Sequence, residues 1–256
     1  MIYEHNLNPV AFSFFNLKIY WYSLAYIFGF LFSFWYSKYL VKNKVIILDI
    51  KIVDDLITLA IIAVIFGGRF GYIIFYNLSY YLENPFEIIK LWKGGMSFHG
   101  AILGLIILLI TFSVRKKQSF NELANLIAYC SPVGIFLGRI ANFINGELIG
   151  RPTNEQWGVL YNFADSARHP SQIYEAVLEG LLIFIVLFIL SKNKINKTIN
   201  AFAVFLILYS LFRFFLEYFR EPDAQVGFVI SNLSMGQILS IPMFLVGITF
   251  LKNGKK

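Results

Sequence analysis

Seven stretches of this 256-residue chain are long and apolar enough to cross a hydrocarbon layer as helices, and nothing else restricts its fold as strongly. A hydrocarbon core of about 30 Å needs ~20 helical residues. The stretches fall at about 19–40, 54–76, 97–114, 122–142, 172–191, 200–219 and 235–251. Only 14% of the residues are charged and 58% are hydrophobic, whereas a soluble domain carries about 25% charged residues. That balance leaves too little charge to coat a water-facing globule, and it excludes disorder, a fibrous repeat and an ordinary cytosolic enzyme. The expectation is an all-α polytopic membrane protein, one integral-membrane domain over 1–256 with seven transmembrane helices. The second, fourth and sixth stretches are interrupted by charge, and the fourth also holds Pro132.

Basic residues set the orientation. Lys38, Lys42, Lys44 and Lys51 follow span one, Arg115, Lys116 and Lys117 follow span three, and Lys192, Lys194 and Lys197 follow span five. Lys252, Lys255 and Lys256 close the chain, so thirteen of the 22 Lys and Arg lie on one side. The opposite connections mix signs, with Glu83, Glu87, Lys90 and Lys93, then Glu147, Arg151, Glu155, Asp165 and Arg168. The positive-inside rule makes the lysine-rich side cytoplasmic, placing the N-terminus outside and the C-terminus inside. Met1 to Leu17 carries no Lys or Arg, so the first apolar stretch reads as a retained span rather than a signal peptide. The net charge of +7 is therefore a topology signal and not a nucleic-acid footprint. The longest outer connection, about 143–171, is expected to form a small extracytoplasmic head. A single cysteine, Cys130, excludes an intramolecular disulfide and any multi-cysteine metal site.

Arg69, Arg139, Arg213 and Glu217 fall within or at the edge of these spans. A charge at mid-membrane costs on the order of 2.5–3.5 kcal/mol on insertion scales, so each needs a reason. Snorkelling toward the interface is one. A shared site is another, because the topology places Tyr22 and His99 near the starts of inward-running spans and the other four late in outward-running ones. At 1.5 Å of rise per residue, all six lie within about 12 Å of the outer boundary. Arg213 and Glu217 are four apart and share a helix face with Tyr209. Three arginines set against Glu217 and Glu147 leave an excess of positive charge, whose natural counterpart is an anion at headgroup depth. Guanidinium forks suit phosphate. Gly67, Gly68 and Gly71 around Arg69 read as close helix packing. Gly94, Gly95 and Gly100 around His99 fit either packing or a loop that brings backbone to a ligand.

Longer motifs accompany these residues: GRIANFINGELIGRPT (138–153), WYSLAYIFGF (21–30), GGRFGYIIFY (67–76), GGMSFHGAILG (94–104), RHPSQIYEA (168–176), the Tyr209/Arg213/Glu217 stripe running into REPD (220–223), and SMGQILSIPM (234–243). In content and order they resemble the bacterial prolipoprotein diacylglyceryl transferase family across nearly the whole chain. Ala101 and Ala141 stand where that family commonly has glycine, each adding one methyl.

The resemblance implies a bacterial cytoplasmic (inner) membrane enzyme with its active site toward the outer face. Such an enzyme moves the diacylglyceryl group of phosphatidylglycerol to the lipobox cysteine thiol of a prolipoprotein, forming a thioether and releasing glycerol phosphate. Its partners are phosphatidylglycerol, the prolipoprotein signal peptide and the lipid bilayer, and no metal or organic cofactor is implied. Sulfur attacks an sp³ carbon as a phosphate ester departs, so the thiol must lose its proton and the phosphate must be held. Arg139 and Arg213 are assigned to the phosphate. His99 is the candidate base, with orientation of lipid or helix capping as its competing roles. Tyr22, Arg69, Asn142, Asn145, Glu147, Gly150, Tyr209 and Glu217 complete the expected phosphatidylglycerol-binding set. Glu147 and Arg151 are spaced equally well for an ion pair, and Arg69 for pairing with Glu217 or a lipid phosphate. His5 is expected to be interfacial and His169 to be structural.

Other classes were weighed on the residues. A transporter or channel predicts polar residues continuing to the inner side, and here the inner halves of the spans are nearly all apolar. An intramembrane protease lacks a recognisable nucleophile motif or His-Glu-x-x-His. A purely structural lipid-binding protein leaves the arginines without chemistry.

Overall fold

The structure is a computed structural model that describes residues 2–15, 17–90, 95–192, 199–222, 228–230 and 233–253. Each expected span is a helix, with its ends moved by a few residues. They are α1 (Trp21–Lys42), α2 (Ile50–Tyr76), α4 (Phe98–Lys116), α5 (Phe120–Asn145), α6 (Ser171–Lys192), α7 (Ala201–Leu216) and α8 (Met235–Asn253), and a short α3 (Leu78–Glu83), which matches no expected span, follows α2. Among the described residues, α1, α5, α6 and α8 are long and apolar enough to cross a membrane, and α7 is a shorter apolar helix.

The expectation of an all-α fold needs correction. Among the described residues, six short strands pair two by two, β1 (Tyr3–His5) with β4 (Val159–Tyr161) in parallel, and β2 (Val10–Phe14) with β3 (Leu17–Tyr20) and β5 (Phe228–Ile230) with β6 (Leu233–Ser234) as antiparallel pairs. They are all two to five residues long and lie outside the apolar stretches, where backbone groups without a helix need partners. The sixth span also ends at Leu216 rather than near 219, because the chain turns at Glu217 to Phe219 before Arg220 bridges to Gly150.

The chain divides into two compact units, Met1–Tyr36 with Asn125–Lys256, and Ser37–Ala124. The second unit is built on the packing of α2 against α4. Asp49 caps α2 by accepting from Lys51 N at 2.7 Å, and Ser97 caps α4 by accepting from Gly100 N at 3.2 Å. Glycines let these two backbones touch. A Cβ at Gly67 would stand 3.1 Å from the Gly104 Cα, and one at Gly71 would stand 3.1 Å from the Gly100 N. Close packing of small residues therefore accounts for Gly67, Gly71 and Gly100 together. At one end Lys38 pairs with Asp54 at 3.1 Å and Lys116 with Asp55 at 2.8 Å, exposed pairs that add little stability.

In the first unit, α5 passes Pro132 without breaking. Pro132 lacks an N–H to offer the preceding turn; next to it, the Ser131 hydroxyl donates to the Ile127 carbonyl at 2.7 Å. Close approach recurs between α5 and α6, where a Cβ on Gly180 would lie 2.6 Å from the Phe136 Cβ. Within α6, residues Ala176–Leu182 form a π-helical segment, flanked by α-helix on both sides. Such segments are rare and occur preferentially at functional sites.

Substituting Gly100→Leu should force α2 and α4 apart, an overpacking cost of about 1–3 kcal/mol or more. Its thermal midpoint in detergent micelles should fall well below that of the exposed-face control Ile107→Ala; equal midpoints would contradict this packing.

Candidate functional site

Arg139 and Arg213 meet in the first unit, and carboxylates that the sequence reading passed over hold them together. Arg139 sits one turn beyond Phe136 on α5, so the close approach at Gly180 brings its guanidinium onto α6. There Nη1 pairs with Glu175 Oε2 at 2.9 Å and Nη2 with Glu179 Oε2 at 3.4 Å. From α7, Arg213 Nη1 lies 3.1 Å from Glu175 Oε1 and 3.8 Å from Glu179 Oε1, while its Nη2 pairs with Glu217 one turn on. Arg220, just past α7, adds a third guanidinium at 3.3 Å from Glu175 Oε1. The expected Arg213/Glu217 stripe is therefore an ion pair, and Tyr209 is buried on the same helix within electrostatic reach of Glu179 and both arginines.

Glu175 and Glu179 have no exposed side-chain surface, whereas Arg139 and Arg213 each keep 16%. The two carboxylates are thus the most deeply buried members of the cluster, and the Arg139 and Arg213 side chains are less buried. Glu217 is held from behind: Ser234 Oγ donates to its Oε2 at 2.7 Å, and a Cβ on Gly236 would stand 2.7 Å from its Cδ. The expected excess of positive charge is corrected by these contacts. Among the described residues, three guanidiniums face three carboxylates, because Glu175 and Glu179 were not counted. Their signal was available: two carboxylates four apart inside the apolar stretch 172–191 need the same explanation as an intramembrane arginine.

A second group lies at the end of α5. Gly146, at φ +68°, closes that helix with a Schellman turn, Gly146 N donating to Phe143 O at 3.0 Å and Glu147 N to Asn142 O at 3.1 Å. The turn folds Glu147 back over the helix, so that the side-chain amides of Asn142 and Asn145 both donate to its Oε1, at 2.9 and 3.1 Å. The three therefore form one unit, with Glu147 exposed at its rim. Arg151 does not pair with Glu147; it donates to the Arg220 and Glu217 carbonyls at 2.9 and 3.2 Å and stacks on Phe228.

The head supports both groups. Gln172, fully buried, donates to the Glu147 carbonyl at 2.7 Å and to the Tyr161 hydroxyl at 3.3 Å. Burial pushes the Tyr161 phenol above its ordinary pKa, so it keeps its proton. His5 is buried rather than interfacial, and its Nε2 donates to the Phe143 carbonyl at 2.7 Å. His169 is structural: its backbone pairs with Gly150 and Arg151 and its ring packs on Phe219. Gly150 is a crossing point for the chain, since a Cβ there would stand 2.8 Å from the Phe219 carbonyl. Tyr22 on α1 packs its ring against Tyr26 at 5.2 Å.

Arg69 belongs to the second unit, and its donors serve backbone there. It reaches the carbonyls of Ile88 at 2.9 Å, Glu87 at 2.6 Å, and Lys90 and Gly95 at 3.2 Å, and lies over the Tyr81 ring. Gly95, at φ +78°, shapes the loop that it ties down, which favours a structural reading of this arginine and of that glycine. The His99 side chain and Gly94 lie outside the described residues.

Removing one carboxylate should be costly, because breaking a buried charge network by deleting one partner typically costs about 3–5 kcal/mol. Glu175→Ala should lower the thermal midpoint far more than Glu147→Ala, whose partners are neutral amides at an exposed rim. Equal midpoints would show that Glu175 does not brace the arginines.

Comparison with known proteins identifies the family. Residues 9–252 match the family model described as prolipoprotein diacylglyceryl transferase. The chain is similar to phosphatidylglycerol–prolipoprotein diacylglyceryl transferases of Rickettsia bellii, 47% identical over 95% of this chain and 94% of the relative, and of Ehrlichia ruminantium, 48% identical over 96% of each. Both relatives cover the α5 signature, the α6 carboxylates and the α7 stripe in one alignment spanning almost every residue, and the chain belongs to the prolipoprotein diacylglyceryl transferase family.

Proposed function

We propose that the chain transfers the diacylglyceryl group of phosphatidylglycerol to the lipobox cysteine thiol of prolipoproteins, the first step of bacterial lipoprotein maturation. The observation that carries this reading is the Arg139–Arg213 pair, gathered onto Glu175 into one cluster of guanidiniums between apolar helices. Family membership and the printed activity of the relatives support it.

In the reaction the cysteine sulfur attacks the sp³ carbon of the glycerol esterified to phosphate, the C–O bond breaks, and glycerol phosphate leaves. Arg139 and Arg213 hold the phosphate and stabilise charge that builds on its oxygens, where fixed donors in a water-poor site are most effective. Glu217 aims Arg213, and Tyr209 packs beside both forks. Asn142, Asn145 and Glu147 form the adjoining polar wall for the headgroup hydroxyls, with Gly150 fixing the turn behind them. His99 takes the thiol proton. Tyr22 and Arg69 complete the expected set, Arg69 by holding the loop that precedes α4.

The protein is a multi-pass membrane protein. The finer reading is one integral-membrane domain with seven spans, the N-terminus outside and the C-terminus cytoplasmic, in the bacterial inner membrane. The lysine distribution supports it, as do the helices found at every expected span. Under that topology the head around β1 and β4 and the arginine cluster face outward, where a prolipoprotein presents its lipobox cysteine.

Purified protein incubated with phosphatidylglycerol vesicles and a lipobox peptide should add a diacylglyceryl mass to the cysteine. Arg139→Lys and Arg213→Lys should each reduce turnover by about 10²-fold or more, since Lys keeps the charge and loses the fork. Near-normal turnover in both would discard the clamp. His99→Gln should remove most of the rate and change the pH profile of turnover at saturating phosphatidylglycerol; an unchanged pH profile with substantial activity would remove His99 as the base.

A further inference from the structure

The arginines that would receive the lipid phosphate are already neutralised by the chain itself. Among the described residues, Arg139, Arg213 and Arg220 face Glu175, Glu179 and Glu217. Arg151, the next cation outward, donates to backbone carbonyls, and Glu147, the next anion, is held by two amides. A phosphodiester entering between Arg139 and Arg213 therefore adds a net negative charge to a site whose carboxylates are buried. Uncompensated charge in such surroundings is strongly disfavoured, and the usual escape is a change of protonation.

The three carboxylates are not equally able to accept a proton. Glu175 is engaged by three guanidiniums at 2.9, 3.1 and 3.3 Å. Glu217 pairs with Arg213 and accepts the Ser234 hydroxyl at 2.7 Å. Glu179 has only the two longest contacts, 3.4 Å to Arg139 and 3.8 Å to Arg213. It is the anion that the cluster holds least. Its Oε1 is the oxygen turned toward Arg213, so as a carboxylic acid it could donate to a phosphate oxygen placed on that guanidinium.

Resting on the reading of Arg139 and Arg213 as a phosphate site, we propose that Glu179 takes up one proton from solvent as the lipid phosphate enters, so that anionic-lipid binding is coupled to protonation of a buried carboxylate. The groups facing Glu179 are Arg139 from α5, Arg213 and Tyr209 from α7, Arg220 beyond it, and Glu175 on its own helix. Before binding the charges balance; afterwards the phosphate takes the place of the Glu179 anion and the balance is kept. Glu179 acts through the arginines and the phosphate, as a positioning residue that sets the charge of the site. It also explains why the sequence supplies two carboxylates, four apart across a π-helical segment, where one would suffice to brace two guanidiniums.

The experiment uses the intact chain in phosphatidylcholine nanodiscs, titrated with phosphatidylglycerol in the absence of any thiol peptide so that no transfer occurs. Calorimetry near pH 7 in two buffers of different ionisation enthalpy reads the protons exchanged. The expected result is uptake of about one proton per lipid bound, with affinity falling by up to about tenfold per unit rise in pH. Glu179→Gln should bind the lipid with no uptake and with an affinity that pH does not change. Binding by the unaltered chain without proton uptake would overturn the proposal, and so would uptake that persists in Glu179→Gln. The first of these needs no variant. Failure of the unaltered chain to bind phosphatidylglycerol at all would instead overturn the phosphate reading itself.

Discussion

A single carboxylate in a place without water organises this molecule. Glu175 touches Arg139, Arg213 and Arg220 at once, and it has no exposed surface through which solvent could share the task. A lone anion there would be strongly destabilising, and so would any of the three cations, but together they offset one another. The consequence is geometric as well as energetic. Guanidiniums from α5, from α7 and from the turn after α7 are drawn to one point on α6.

Several local features serve that convergence. Gly180 removes the side chain that would separate α5 from α6, which lets Arg139 reach the carboxylates. The π-helical stretch begins immediately after Glu175 and contains Glu179, so the pair is set within a helix that departs from regular spacing at that point. Gly236 makes space for Glu217, and Ser234 holds its second oxygen. The Schellman turn at Gly146 returns Glu147 to the amides of Asn142 and Asn145, and Gln172 links that turn to β4 of the head. Each device is made of one or two residues, and each would be ordinary elsewhere.

Much of this was readable from the amino acids. Apolar length located the helix at each expected span to within a few residues, because a bilayer demands ~20 apolar residues in succession and little else produces them; the short α3 carries no such signal. Arg139, Arg213, Glu217 and Tyr209 stood out because ionisable groups inside apolar runs are costly. Glu175 and Glu179 carry the same signal, but their partners come from α5 and α7, and no spacing within α6 announces that convergence. The strands could not be read: β1 and β4 are three residues each with 153 residues between them, too short for periodicity and paired only through the folded head. The carbonyl partners of Arg69 were equally hidden, since a loop that offers four backbone oxygens has no signature in side-chain sequence. Arg151 looked like a partner for Glu147 by spacing alone, and spacing misled because the turn at Gly146 folds Glu147 back over α5 while the crossing at Gly150 leads Arg151 toward the Glu217 and Arg220 carbonyls.

The most direct measurement is an experimental density map of the protein with phosphatidylglycerol bound and no thiol substrate present. The account predicts the lipid phosphorus between the Arg139 and Arg213 guanidiniums, with oxygens at hydrogen-bond distance of about 2.7–3.2 Å from both and Glu175 still bridging behind them. A phosphate bound elsewhere, with both guanidiniums still closed onto their carboxylates, would contradict it.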